Sequence, residues 1–563
     1  MRVLAFSSLF VVLLLCQYAV SSASKTRNFL NYGENGGSNC ATCTIIFALG
    51  EQLSVINNET VINSLDRICG FLPAPFQIYC KVFVQFIAVE ILSLLPDKYN
   101  PDEACRGLGF CFTEKGQQQC HLFPEPKVSY MSPGLPRVTV GRNICDLPGI
   151  KQICEYLDRI FDSHYPAVDL DGDRFSVMTT LRGTSWRGKD CDDKNKSIHP
   201  GSRPQLSDKV KDSNCNGIYG LDNAGNAYED QFCSNSSQRG SVVLGDSVSA
   251  HFHLPREWLN SSEISAATFE PLLFILENEI DWPELSTVTG YMQNPYPNVN
   301  HGPTDSIYLR MRDRNRCNHR DYQNIAANGA RSGTMDDIML SLFRNSSTDY
   351  PVIVIYALVG NDVCRGHADD FDRMTKPAEM YNNTLITLKY LEKVLPKGSH
   401  VFLCALADGR VLYDSLHDRV HPIGSLRNDV KYPDFYDYFN CLQISPCYGW
   451  MNTNETIRNL TTERANQLND VLRNLSAAYT SNNYKVYYID NPINQVLDEY
   501  EKAGGQKWEL IEPVDGFHSN QLGQALTAKV IWENLVQNYT DVIGPINPNN
   551  AKIDQIFGDQ GGY

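Results

Sequence analysis

Gly245-Asp246-Ser247 stands directly behind the apolar run Val242-Val243-Leu244, and three later strings carry what that serine would need to act as a nucleophile. They are Asn328-Gly329-Ala330-Arg331-Ser332-Gly333, Gly360-Asn361-Asp362 and Asp515-Gly516-Phe517-His518. A free hydroxyl is a poor nucleophile; acyl transfer takes an imidazole base, a carboxylate to orient it, and donors aimed at the developing oxyanion. Asp515 and His518, at i and i+3, can point the same way from a loop or a first helical turn, so that Asp515 would fix the His518 tautomer. The oxyanion donors would be the backbone N–H groups of Ser247 and Gly329 and the side-chain amide of Asn361, the missing Cβ at Gly329 letting backbone approach the substrate. Alone, a Gly-Asp-Ser tripeptide is more often a turn, and Asp246 reads as a turn or helix N-cap residue.

Two of these strings follow strand-like runs, 242–244 and 352–359, and the active-site loops of an open parallel sheet leave the carboxyl ends of such strands. Further strand candidates at 401–406 and 486–489 alternate with helical patterns over 380–395 and 461–478, which predicts an α/β fold. In their order the four strings resemble the blocks of the GDSL/SGNH hydrolase family, over a domain placed at 240–545. The resemblance implies a flavodoxin-like parallel sheet, Ser247 as nucleophile, Ser247, Gly329 and Asn361 in the oxyanion hole, and Asp515 with His518 completing a triad. Spacing alone does not choose the base, because Asp414 with His417 and Asp418 with His421 repeat the Asp-x-x-His pattern. His518 is chosen because the family places this block last. His251 and His253 read as packing or substrate-contact residues, and His301 and His319 lack an aspartate three residues before them.

Residues 1–23 carry Arg2, an apolar stretch over 9–16 and small residues ending in Ser21-Ser22-Ala23, the pattern of a secretory signal peptide; 24–36 reads as a polar leader or propeptide. No later apolar run in the sequence reaches bilayer-spanning length. Ten Asn-x-Ser/Thr sequons, at Asn58, Asn195, Asn235, Asn260, Asn345, Asn382, Asn454, Asn459, Asn474 and Asn538, fit a secreted or lysosomal route. The chain has 18 cysteines, and once Cys16 leaves with the signal the rest would enter an oxidising compartment, so disulfides are expected. A formal charge of −16 argues against nucleic acid as a partner.

Cys40, Cys43, Cys69, Cys80, Cys105 and Cys111 stand apart within 37–120, with helix-length apolar patterns between them, including Ile45, Ile46, Leu49, Leu53 and Ile56 and the run 82–95. That run is apolar nearly all round, so part of the surplus should face lipid, a partner domain, or both. Six cysteines allow fifteen pairings. Their spacing resembles a saposin B-type domain, which implies a small all-α lipid-binding module and the nested pairs Cys40 with Cys111, Cys43 with Cys105 and Cys69 with Cys80. Deleting such a module would cripple hydrolysis of membrane or micellar lipid and spare a short soluble ester. Of the eleven later cysteines an odd one stays free, and Cys404, inside a strand-like run, fits best as a buried thiol.

A Pro-rich linker over 121–144 contains Arg137 and Arg142, a processing site or part of an uncut tether. The segment 145–235 is acidic and turn-rich. Asp169, Asp171 and Asp173, then Asp190, Asp192, Asp193 and Asn195, then Asp212, Asn214 and Asn216 offer oxygen ligands of the kind Ca²⁺ prefers, with solvated turns as the alternative. The EF-hand pattern fails, since counting from Asp169 puts Arg174 at the sixth position and Thr180 at the twelfth. The expectation is structural Ca²⁺ and no catalytic metal, because no histidine cluster accompanies the carboxylates. Residues 546–563 form a C-terminal tail.

The pairing of the two modules, with Asp281-Trp282-Pro283, the Cys317 to Asn324 string and Phe557-Gly558-Asp559-Gln560-Gly561-Gly562, resembles a family of secreted esterases acting on lipopolysaccharide. The resemblance implies release of secondary, acyloxyacyl-linked fatty acids from lipid A, at a membrane or micelle surface that the saposin-like module engages. It also implies cleavage into a small and a large subunit joined by a disulfide. Ala330-Arg331-Ser332-Gly333, beside the oxyanion hole, is where substrate fit would vary. A phospholipase or lysophospholipase of the same family, and a lipid-binding or transfer protein with an idle hydrolase fold, remain as other readings. Intact Ser247, Asn361, Asp515 and His518 favour an enzyme.

Overall fold

The computed structural model describes residues 33–74, 76–78, 80–85, 100–124, 164–364 and 370–563. The signal-peptide segment, most of the run 82–95, Arg137 and Arg142, and Cys145 and Cys154 lie outside the described residues.

Five strands pair in parallel in the order β2-β1-β3-β4-β5: β1 (Gly240–Gly245), β2 (Tyr322–Asn324), β3 (Val352–Ala357), β4 (Ser399–Cys404) and β5 (Tyr484–Ile489). β1 and β3 are buried at every position, as strands covered on both faces must be, which is why they read as unbroken apolar runs. They pair in step, from Gly240 opposite Val352 to Gly245 opposite Ala357, so their carboxyl ends finish side by side. The winding reverses at β1, and an α/β sheet binds its ligand in the crevice at such a reversal. β2 was not predicted: three residues with Gln323 and Asn324 carry no apolar run. Its edge is instead completed by a side chain, Gln323 donating to the Phe343 carbonyl at 2.7 Å and accepting from the Phe343 N–H at 3.1 Å.

The helices flanking the sheet begin earlier than their apolar patterns suggest. One spans Pro377–Val394, opening on a proline whose fixed φ suits the first turn, and another spans Glu455–Ala478, capped by Asn454 through the Thr456 N–H.

In the N-terminal module α1 (Gly37–Asn57), α2 (Val61–Phe71) and α3 (Pro101–Gly107) are stapled by Cys40–Cys111, Cys43–Cys105 and Cys69–Cys80. Of the 21 residues of α1, 16 are buried. By length and composition α1 could cross a bilayer, correcting the reading that no run after the leader could, yet it is a core helix here. It packs against the hydrolase: buried Gln52 donates to the Ile423 carbonyl at 2.7 Å and accepts from Ser261 Oγ at 2.8 Å, and Tyr438 donates to Thr44 Oγ1 at 3.0 Å. Cys120–Cys441 adds a covalent link. Ile45, Ile46, Leu49 and Leu53 are buried in the joint core, and Val55, Ile56, Ile78, Val82 and Phe112 are the large apolar residues the described part of the module exposes.

The acidic segment is joined to the same body by Cys233–Cys317 and by bridges from Arg187 to Gln323 and Ser202 to Asp349. The C-terminal tail closes over it, Gln560 donating to the Asn216 carbonyl at 2.6 Å. Cys404 is the free cysteine among the described residues, and it is buried.

Candidate active site

β1 ends at Gly245, where an added Cβ would fall 2.3 Å from Ser249 Oγ, so only glycine permits the sharp exit from the strand. Asp246 caps the four-residue helix that follows, its Oδ1 accepting from the Val248 N–H at 3.1 Å, and this sets Ser247 at the first helical position. The cap does more than the sequence suggested. Asp246 Oδ2 accepts from the Val359 N–H at 2.7 Å and from Asn361 Nδ2 at 3.5 Å, tying the exit of β1 to that of β3. Burial lifts the Asp246 pKa to about 6.

His518 Nε2 lies 2.7 Å from Ser247 Oγ, and His518 Nδ1 lies 2.5 Å from Asp515 Oδ2. A carboxylate only accepts, so Asp515 keeps the proton on Nδ1 and leaves Nε2 free to take one from the serine. The i, i+3 spacing works through a tight loop: Asp515 Oδ1 accepts from the Phe517 and His518 N–H groups at 2.8 and 3.2 Å, and the Glu512 N–H closes the turn on the His518 carbonyl at 2.7 Å. Glu512, which heads the segment ending in Asp515-Gly516-Phe517-His518, was given no role from sequence. Its Oε2 sits 2.6 Å from His253 Nδ1, while His253 Nε2 donates to the Val299 carbonyl at 3.1 Å, so His253 holds the Asp515–His518 loop from behind. Burial alone would push His253 down, but the Glu512 carboxylate holds its pKa above the usual range.

The other histidines have different employment. His421 is buried, with its pKa pushed down to about 4, and contacts the Val514 carbonyl; His417 contacts backbone carbonyls of its own turn; His301 pairs with Glu257; His319 accepts from Arg312. His251 ends the short helix in a left-handed conformation and faces the Trp282 carbonyl.

Gly329 has φ +71, a left-handed position that a side chain would strain. Asn328 before it donates to Asp281 Oδ2 at 3.0 Å, which gives the Asp281-Trp282-Pro283 string a place behind this loop. Replacing Asn361 by alanine is expected to lower turnover ~10²- to 10³-fold with little change in KM, measured on a soluble ester, as for loss of one oxyanion donor.

Ser247 and His518 open onto an apolar pocket of about 720 Å³, mouth included, walled by Val248, Val411, Leu412, Trp450, Leu497 and Phe517. Trp450 lies so close to Gly409 that a Cβ there would meet the indole at 2.2 Å. Across Asp408, Val411 and Leu497 the pocket passes into a polar groove containing Arg410, Asp418 and Trp508, with the Arg419 guanidinium stacked 3.3 Å from the Trp508 ring centre. The site thus joins an apolar slot for a chain to a polar shelf.

Among the acidic strings, carboxylate oxygens of Asp169, Asp171 and Asp173 converge within 4.8 Å of one another. Asp171 Oδ2, Asp173 Oδ2, Asp190 Oδ2 and, apart from them, Asp212 Oδ1 are buried without a hydrogen-bond partner, oxygens of the kind a hard cation would satisfy. Asp193 spends one oxygen on the Leu170 N–H at 3.0 Å. Two expected ligands have other partners: Asp192 pairs with Lys211, and Asn195 accepts from Ser197 at 2.9 Å. Asn214 and Asn216 donate their amides to Glu229, a carboxylate the sequence reading passed over. Cys191–Cys215 pins two of the strings together, so neither sulfur is a ligand.

A five-stranded parallel α/β domain with a serine, histidine and aspartate at its switch point defines an esterase-type hydrolase. Residues 242–531 match the GDSL-like Lipase/Acylhydrolase family, and residues 39–155 match the Saposin-like domain. The chain is 44% identical to the acyloxyacyl hydrolase of Oryctolagus cuniculus over 540 residues, 93% of each chain, and 42% identical to that of Homo sapiens over 578 residues, covering 100% of this chain and 99% of the relative. Saposin-C of Cavia porcellus is 27% identical over 78 residues, 13% of this chain and 94% of its own. The chain belongs to the acyloxyacyl hydrolase family, and its activity is that of a lipid ester hydrolase.

Proposed function

We propose that this hydrolase cleaves secondary, acyloxyacyl-linked fatty acyl esters of lipopolysaccharide lipid A. Ser247 Oγ attacks the ester carbonyl as its proton passes to His518 Nε2, and the Ser247 and Gly329 N–H groups and the Asn361 amide receive the oxyanion. Collapse breaks the ester bond, and His518 returns the proton to the departing hydroxyl of the acceptor chain. Water then enters by the same route, His518 taking its proton, and the free fatty acid leaves Ser247. Asp515 steadies the imidazolium throughout.

The observation that carries this reading is the bonded relay of 2.5 and 2.7 Å at the mouth of an apolar slot that runs into a polar groove. An acylated glycolipid has the matching form, and the relatives are named for acyloxyacyl ester hydrolysis. Incubating the purified protein with lipopolysaccharide and, separately, with phospholipid and lysophospholipid, then identifying the released acids by mass spectrometry, tests it. Release of acids esterified to another acyl chain, with those attached directly to the sugar retained, is the expected result. Release from glycerophospholipid alone would assign the phospholipase reading, and release from none would leave a lipid-binding protein.

The protein is further proposed to be secreted or lysosomal, carrying glycans at the sequons. Nine of those asparagines are exposed; Asn260 is half-buried, with Oδ1 held by Ser425 at 3.0 Å. If the precursor is cut at Arg137 or Arg142, Cys120–Cys441 would keep the small and large chains joined.

Calcium is proposed to bind the Asp169 to Asp173 string with Asp190, and to stabilise without entering the chemistry. The site lacks histidine ligands, and crowded burial with no cation pushes Asp173 up to about 8. A chelator is expected to lower the melting temperature while activity below that temperature persists, since a ligand of the native state stabilises by mass action. Immediate, reversible loss of activity with an unchanged melting curve would make the metal catalytic.

A further inference from the structure

We infer that Asp362 is a positioning residue that fixes the separation of two oxyanion donors carried on different loops, and that Ser332 is the link through which it acts. The inference rests on the reading of Ser247 given above. Two donors stabilise one tetrahedral oxygen only when both reach the same point at ~2.7–3.1 Å. Here the Gly329 N–H sits on the loop after β2 and the Asn361 amide on the loop after β3. The Asp362 carboxylate spans the gap between these loops. Its Oδ2 accepts from the Ser332 N–H at 2.9 Å and its Oδ1 from Ser332 Oγ at 2.6 Å, so both oxygens hold the Gly329 loop while the backbone of Asp362 continues that of Asn361.

The bracket is braced from outside the two loops. Thr375 Oγ1 donates to Asp362 Oδ1 at 2.7 Å, the Thr375 N–H to the Asp362 carbonyl at 2.8 Å, and Asn383 Nδ2 to Ser332 Oγ at 3.1 Å. Asp362 is fully buried and Ser332 nearly so, which makes these bonds costly to leave unmade. The far ends are held as well, Asn328 on Asp281 and Asn361 on Asp246, so Ser332–Asp362 is the direct tie between the two donor loops. A displacement of about 1 Å between groups that must converge on one atom is worth ~10² in rate. This assigns a use to the Ala330-Arg331-Ser332-Gly333 stretch and to the third residue of Gly360-Asn361-Asp362, neither of which contributes a reacting atom.

The test combines steady-state kinetics on a short soluble ester with affinity for an alkyl boronic acid, which adds Ser247 Oγ to boron and mimics the tetrahedral state. Asp362→Ala is expected to lower kcat ~10²-fold and weaken boronate binding in parallel, with KM within about twofold. Asp362→Asn should recover to within about tenfold of wild type, because an amide keeps an oxygen for the Ser332 N–H and can donate to both hydroxyls. Ser332→Ala should lose roughly tenfold in kcat, whereas Thr375→Val, which removes a bond to the same carboxylate away from the oxyanion loops, should stay within about twofold. If Asp362→Ala does not fold, the comparison of Ser332→Ala with Thr375→Val decides. Equal kcat in those two variants, or lowered melting temperatures in the Asp362 variants with unchanged kcat per folded molecule, would overturn the inference. Failure of the Ser247 reading would look different, as a wild-type protein that forms no boronate adduct at Ser247.

Discussion

Replacing Ser247 by alanine is expected to reduce esterase turnover by ~10⁴-fold or more while leaving the melting temperature within a few degrees of wild type, because a triad nucleophile contributes to the reaction and almost nothing to the core. The hydroxyl makes one hydrogen bond, to His518 Nε2, and β1, the Asp246 cap and the β3 contacts are untouched by its loss. His518→Ala should match it, since without the imidazole the serine keeps its proton. Asp515→Asn should lose less, ~10³- to 10⁴-fold, because the amide disturbs the tautomer and the loop yet leaves both nucleophile and base in place. Activity of Ser247→Ala within tenfold of wild type would end the assignment. Circular dichroism and thermal melts on the same preparations separate loss of chemistry from loss of fold.

Deleting residues 37–120 is expected to abolish hydrolysis of soluble esters as well as of micellar lipid, with most of the protein recovered as aggregate. The sequence alone suggested a detachable lipid-reaching module whose removal spares small substrates. The structure packs α1 against the hydrolase: Gln52, Thr44, Phe47 and Leu49 are buried, and removing the module would uncover Ile423 and Tyr438 with their neighbours in the shared core. Exposing several such side chains costs ~1.5–3 kcal/mol each, comparable in sum to the whole stability of a domain. A milder probe is Gln52→Leu, which strands the buried Ser261 hydroxyl and Ile423 carbonyl and should lower the melting temperature without altering kcat below it. A soluble deletion protein with wild-type turnover on a short ester would restore the detachable-module view.

The parts of this architecture legible in the sequence are those in which one short string fixes both a backbone shape and a chemical group. Gly245-Asp246-Ser247 needs glycine for the strand exit and aspartate for the cap, and Asp515-x-x-His518 closes its own loop, so local spacing carried the geometry. β1, β3 and β4 could be read because strands buried on both faces must be mostly apolar, and the half-buried edge strand β5 because Val486, Tyr487, Tyr488 and Ile489 keep a β-rich run. β2 was not legible, since it is three residues long, two of them polar, and is held by the Gln323 side chain and by neighbours far away in the chain. His253 and Glu512 meet across 259 positions, and Ser332 and Asp362 across 30, separations at which no periodicity signals contact. That α1 would bury against the hydrolase was equally hidden, because an apolar helix face buries alike against lipid or protein.

The central claim, that Ser247 is the activated nucleophile of a lipid esterase, is tested most directly by labelling the intact protein with an alkyl fluorophosphonate and mapping the adduct by peptide mass spectrometry. The serine oxygen displaces fluoride from phosphorus, so the label reports which hydroxyl is activated. A single adduct on Ser247, formed in step with loss of lipid hydrolysis and absent from His518→Ala, is the predicted result. Complete inactivation with the label on another residue, or full activity in protein labelled at Ser247, would contradict the account.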